Sequence, residues 1–251
     1  MTMEYIISFI KYCISNIGII LYNYWSFLIL GISFVLFVII NKGIVVGDRS
    51  AHAPVLHFPQ FYYFLTFSMF NLILDTNVIL YSLSNFKQWI INQFKTPFTI
   101  IRFLLINLII IFTIYQFTYV HPYLVADNRH YTFYIWKNIF SRFYYSRFIL
   151  LPVYVFSFWL IYSLLRFHFS SIWCSLYLFC CVLLLTPVYL LEFRYFITPF
   201  IWIKLHTSST SKTSLYLQLI VYSLFNFVLL YVFLHKPFSW PNYEDPMRFM
   251  W

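Results

Sequence analysis

Runs of about twenty residues without a single Asp, Glu, Lys, Arg or His recur along this chain, and they constrain its fold more tightly than any other feature. About 18 to 20 such residues, wound as a helix, cross the roughly 30 Å hydrocarbon layer, because the helix satisfies its own backbone polar groups where water is absent. Leu21 to Ile40 is the first clear run. Further spans are expected near 58–80, with Asp75 close to one end, and at 103–120, 148–165, 172–191 and 215–234. Tyr195 to Ile203, which contains Pro199, is too short to cross and reads as re-entrant or interfacial. The expected fold is therefore all-α: a polytopic transmembrane helix bundle forming one domain over residues 1–251, with polar loops at 41–57 and 121–147.

Composition fits that setting. The chain is 62% hydrophobic and 9% charged, against roughly 25% charged in a soluble domain, so the lipid bilayer is its first partner. With only four Gly, its helices cannot rely on close small-residue packing, and 32 Phe, 23 Tyr and 8 Trp must fill the interfaces instead. Tyr22, Tyr24 and Trp25, and again Tyr131, Tyr134 and Trp136, fit span ends at headgroup level. The net charge of +9 belongs to connections between spans, and no nucleic-acid partner is expected. Lys87, Lys95 and Arg102 fall on one side, while Arg129, Lys137, Arg142 and Arg147 fall on the other, so charge does not fix the orientation. The first twenty residues lack the pattern of a secretory signal: Glu4 weakens the basic start, and no small-residue cleavage site precedes Trp25. Cys174, Cys180 and Cys181 lie within one apolar span and Cys13 stands alone, which gives no disulfide framework. The seven His match no metal-ligand spacing, and no metal or other cofactor is expected.

Charge inside so apolar a chain marks the candidate chemistry. HPYLVADNRHYTFYIW, from His121 to Trp136, sets an acid, bases and aromatic hydroxyls between two spans. A helix running on from Asp127 would align Asp127, His130, Tyr134 and Lys137 in one stripe able to grip an anionic, hydroxyl-rich ligand. The plainer reading is that Asp127 caps an interfacial helix that the aromatics anchor. A second cluster, GDRSAHAPVLHFPQ from Gly47 to Gln60, holds Asp48, Arg49, His52 and His57 in an ordered loop, either as a solvated turn or as a ligand site. In LLEFRYF, Glu192 and Arg194 interrupt an uncharged run and read first as an ion pair at a helix end. The tail from Phe238, FSWPNYEDPMRFMW, is too aromatic for a free end and reads as a packed cap.

Four of these strings, VVGDRSAHAPVLHFPQ, VHPYLVADNRHYTFYIWK, LLEFRYFITPF and WPNYEDPMRFMW, resemble the endoplasmic-reticulum α-1,2-glucosyltransferase family that adds the last glucose to the dolichol-linked oligosaccharide of N-glycosylation. The resemblance runs from about Tyr24 to Trp251. It implies a membrane-embedded transferase of the GT-C kind, multi-pass in the endoplasmic-reticulum membrane, with dolichyl-phosphate glucose as donor and a diglucosylated lipid-linked glycan as acceptor. It also implies inversion at the glucose C1: a base takes the proton of the acceptor hydroxyl while the lipid phosphate departs from the opposite face, steadied by cations. On that basis Arg129 and His130 are expected on the donor phosphate, with Asp127 orienting them or a sugar hydroxyl. Tyr131 and Tyr134 are expected as ring and hydroxyl contacts, Lys137 within the same stripe, and Asp48 and Arg49 as a second anion-binding pair. Family members are longer and carry an acidic motif of the MDE type in a first lumenal loop, which is thought to supply or support the base. Nothing like it precedes Trp25. The chain therefore resembles the C-terminal half of the family, and no activity is expected of it alone. The alternative is a non-enzymatic regulatory or assembly membrane protein descended from such a transferase.

Overall fold

The computed structural model describes residues 3–46, 53–143, 145–207, 211–241 and 244–250. Asp48, Arg49 and His52 lie outside the described residues. The chain divides into two compact units, Met1–Ala53 and Pro54–Trp251.

In the first unit, α1 (Met3–Ser15) is followed by α2 (Ile17–Asn41), a span-length helix with no buried residue. It ends at Lys42, whose left-handed backbone (φ 54°) turns the N–H groups of Lys42 and Gly43 back onto the carbonyls of Ile39 and Val38. These bonds satisfy the terminal carbonyls that every helix leaves orphaned.

The second unit is built around α3 (Pro59–Leu72) and α8 (Leu151–His168), which pack together and against α9 (Ser171–Leu185) and α10 (Arg194–Thr207). Nine of the fourteen α3 residues are buried, among them Phe64, Leu65 and Leu72. Lipid is as apolar as these side chains, so shape and dispersion hold such a core. The rings supply both: Phe67 lies among Phe193, Phe196 and Phe200, and Tyr81 stacks flat on Trp159. Around the core run α4 (Thr76–Gln93), α5 (Pro97–Phe117) and α11 (Lys212–His235).

Among the described residues, four helical stretches are long and apolar enough to cross a membrane: Ile17–Asn41, Pro97–Phe117, Ser146–His168 and Lys212–His235. The chain is thus an all-α polytopic membrane protein. The run expected as one span at 58–80 is instead two helices, α3 and α4, meeting at 117°. Asp75 makes the break. Its backbone is extended, and its carboxylate accepts the Asn77 N–H (2.9 Å) to start α4 and the Ser214 hydroxyl (3.1 Å) at the head of α11. Elsewhere local capping moves the ends. The run from 103 begins at Pro97, behind a reciprocal Thr96–Thr99 capping box. The run expected to reach 191 stops at Leu185, because Pro187 follows and residues 188–192 leave the helix. The short Pro199 piece extends to fourteen residues, and the carbonyl of Pro199 accepts the Tyr177 hydroxyl at 2.6 Å.

The tail does pack. Phe238 and Met247 exchange two backbone hydrogen bonds (2.9 and 2.7 Å), and Arg248 donates to the carbonyls of Phe233 and Leu234 in the last turn of α11.

Candidate functional site

The non-helical segment after α9 is held in place by buried neighbours. The His57 N–H donates to the Thr186 carbonyl at 2.8 Å, and the Gln60 side-chain amide donates to the carbonyls of Val188 (3.2 Å) and Leu190 (2.9 Å). On its other side the Tyr189 hydroxyl donates to the Val120 carbonyl, and its ring meets His121 edge-on at 4.5 Å. These ties bring the Glu192–Arg194 turn against the connection between α5 and α8.

That connection contains α6 (Pro122–Ala126), α7 (Tyr131–Ile135), a π-helical turn over Trp136–Phe140 and a 3-10 turn over Ser146–Phe148. Asp127 is extended and outside either helix, so the stripe expected from 127 to 137 does not form. Its carboxylate accepts the Arg129 backbone N–H at 2.9 Å, closing a turn ahead of α7 rather than capping the helix, whose N-cap is His130. This is the local bond Asp side chains offer in competition with a helix.

Between the two connections lies a cavity of about 790 Å³. Asp127, His130, Glu192 and Arg194 supply its ionisable lining, and Phe67, Leu190, Leu191, Phe193 and Ile197 line its apolar part. Tyr131 also lines it, stacked face to face on Phe193 (5.1 Å, 5°), which stacks in turn on Phe67 (5.5 Å, 19°). Two clusters some sixty residues apart in sequence thus meet in one chamber.

The electrostatics are paired. Glu192 and Arg194 form the ion pair expected of them. The Arg129 guanidinium grips Asp127 by Nε (3.0 and 3.1 Å to the two carboxylate oxygens) and Nη2 (2.7 Å), while His130 Nε2 stands 3.6 Å from Oδ2. The Arg129 hydrogen bonds hold the Asp127 carboxyl below the usual carboxylate range. Such a carboxylate makes a poor general base at neutral pH but a firm acceptor. Burial pushes the Tyr131 phenol well up, with the nearby Glu192 charge adding to it, so the hydroxyl stays a donor.

Of the residues singled out from sequence, Asp127, His130, Tyr131, Glu192 and Arg194 line the cavity. Arg129 lies behind it. Tyr134 turns to Phe249, and Lys137 is exposed over the Phe133 ring. His57 is buried between Tyr63 and Tyr119 rather than presented to a ligand, and burial lowers its pKa to about 4. Sequence reasoning passed over Gln60, Phe67 and Trp240. Gln60 carried one signal, a polar residue amid an otherwise aromatic run. Among the described residues no three His, Cys, Asp or Glu side chains gather as a metal would require.

The tail closes the outer side of this turn. Trp240 lies under the Arg129 guanidinium (5.2 Å), and its indole N–H donates to Asn128 Oδ1 at 2.8 Å. The Met250 N–H donates to the Arg129 carbonyl at 2.7 Å.

Fold and cavity together define a class: a polytopic helical membrane protein with an amphiphilic chamber beside its helix connections. Comparison with known proteins narrows this. Residues 1–205 match the DIE2/ALG10 family, and the chain belongs to that family. Among its relatives, a human protein named Dol-P-Glc:Glc(2)Man(9)GlcNAc(2)-PP-Dol alpha-1,2-glucosyltransferase is 39% identical over 236 residues, 94% of this chain and 48% of the relative. A mouse protein of the same name is 40% identical over 238 residues (95% and 48%), and an Arabidopsis thaliana protein of that name is 33% identical over 236 residues (92% and 45%). The chain spans about half the length of these curated relatives. No solved structure matches it.

Proposed function

We propose that this chain forms the donor-binding part of a dolichyl-phosphate-glucose-dependent α-1,2-glucosyltransferase of the endoplasmic-reticulum membrane, which acts on the diglucosylated dolichol-linked oligosaccharide. The observation that carries this reading is the cavity in which the Asp127–His130–Tyr131 turn and the Glu192–Arg194 turn face each other over an aromatic and aliphatic wall. A polyisoprenoid sugar phosphate has three chemically different parts, and the lining has a complement for each. His130 and Arg194 serve the phosphate, since charge-assisted hydrogen bonds are the stronger kind. Asp127 and Glu192 accept from sugar hydroxyls, and the Tyr131 hydroxyl donates. Phe67, Leu191 and Ile197 take the isoprenoid.

Transfer forms a bond from the acceptor oxygen to the glucose C1 and breaks the bond from C1 to the phosphate oxygen; the acceptor proton goes to a base. Neither cavity carboxylate suits that last task, since Asp127 is held by Arg129 and Glu192 by Arg194. Their role in this reading is to bind and orient the donor. Asp48 and Arg49 are retained as a second anion-binding pair on the strength of the sequence resemblance, as are Arg129, Tyr134 and Lys137 in support of the turn.

The test is binding of dolichyl phosphate to the purified chain in detergent micelles. His130→Ala and Arg194→Ala are each expected to raise Kd about tenfold, the equivalent of one charge-assisted hydrogen bond at about 1.4 kcal/mol. Lys87→Ala, at an exposed position of α4, and Lys95→Ala, in the connection that follows it, should leave it within about twofold. Equal losses at all four would overturn the assignment.

A further inference from the structure

We infer that Trp240, on the C-terminal segment, is a positioning residue of the cavity, acting through Arg129 to fix the aim of Asp127 and His130. This deepens the proposed function and rests on reading the cavity as the sugar-phosphate site.

Asp127 and His130 line the cavity, whereas Arg129 between them does not. Arg129 turns outward, and its guanidinium lies between the Asp127 carboxylate on one side and the Trp240 ring on the other. A partly exposed ion pair fixes little alone, because two side chains must lose freedom to make it. Here the guanidinium is also held over an indole, and that indole is itself fixed, since its N–H donates to Asn128. Trp240 therefore holds two successive residues of the turn, and Asp127 inherits its orientation from them.

The segment that carries Trp240 is anchored well enough to serve as the fixed side. Its two arms pair at Phe238 and Met247, Arg248 binds the last carbonyls of α11, and Met250 pairs with the backbone of Arg129 and His130. A rigid path thus runs from α11 through the tail to the two cavity residues. Binding geometry of this kind depends on support from behind the contacting residues.

The first measurement needs no ligand: amide hydrogen exchange on the purified 251-residue chain in detergent, comparing wild type with Trp240→Ala. Exchange over 127–132 is expected to quicken about tenfold, while peptides around Asp75 and Ser170 keep their rates. If 127–132 is unchanged, the inference fails. If every peptide quickens, the variant has lost its fold, and Trp240→Phe decides instead. Phe keeps a ring for the guanidinium and loses the N–H to Asn128, so a smaller rise confined to 127–132 is expected; no change there, or a second global rise, overturns the inference. The second measurement is a dolichyl phosphate binding cycle. If Trp240 acts through Arg129, Trp240→Ala adds no further loss in an Arg129→Ala background, whereas multiplying losses would refute that route. Wild type that fails to bind dolichyl phosphate at all would sink the proposed function, while hydrogen exchange still decides whether Trp240 positions the turn.

Discussion

Asp75 and Asp127 begin alike and end differently. Each accepts the backbone N–H two residues ahead at 2.9 Å, the standard turn of an Asp before a helix. Asp75 is 1% exposed, sealed by the Ser214 hydroxyl, which also bonds Thr76. Asp127 is held by a guanidinium from behind and faces a cavity in front. The same local chemistry serves a joint between helices in one case and a binding wall in the other. What separates them is what stands opposite the carboxylate.

Several measurements would break or sharpen that contrast. The largest effect is expected at the joint: Asp75→Ala removes a helix cap and leaves the Ser214 hydroxyl without its acceptor, at a cost of about 2–3 kcal/mol. The melting midpoint in detergent should fall accordingly, and a variant as stable as wild type would show the joint to be dispensable. Next comes pH. His57, buried beside the segment that carries Glu192, has its pKa lowered to about 4, whereas an unfolded His takes a proton near 6.5. Between those values only the unfolded chain is protonated, so stability falls as pH drops from about 6.5 toward 4, by about 3 kcal/mol at most. Melting at pH 5 should lie below melting at pH 7, and His57→Gln should flatten the difference; a slope that survives the substitution belongs to another group.

Asp127→Ala should invert the pattern of Asp75→Ala. Its stability cost is expected to be about 1 kcal/mol, as for a partly exposed ion pair, yet it should weaken dolichyl-phosphate glucose about fivefold through a lost hydroxyl contact. Dolichyl phosphate, which has no sugar, should bind as before; equal losses for both ligands would remove Asp127 from the sugar. With its pKa lowered by Arg129, Asp127 contributes its stability above the unfolded value near 3.9 and loses it as pH falls through its own, so that contribution is intact at neutral pH. The smallest effect is expected at Lys137, exposed over Phe133. Lys137→Ala should change stability by less than about 0.5 kcal/mol and weaken ligand binding by less than about twofold, as for indirect support of the turn.

The helices were largely legible because lipid imposes one rule on every long apolar run. α11 and α3 show where that reading stops. Both are apolar and both read as spans, but α11 has one buried residue, Ser214, whereas α3 is buried over most of its length. Hydropathy cannot separate a lipid-facing helix from a protein-facing one. Nor could it see the break at Asp75, since a single Asp at a span end looks the same whether the chain stops or turns. Of the candidate site, the two charged turns stood out because charge is rare here, but the stripe from Asp127 assumed a helix that the Asp127 carboxylate prevents by taking the Arg129 N–H.

The residues alone fixed a membrane-spanning helical chain and the few places where charge had to be accounted for, because apolar length and ionic cost are properties of short segments. Which of those charges share a chamber was decided by Gln60 and Tyr189 tying the segment after α9 to its neighbours, and by Trp240 lying against Arg129. Those contacts join positions from about 60 to more than 100 residues apart, and their strength comes from packing that no local pattern encodes.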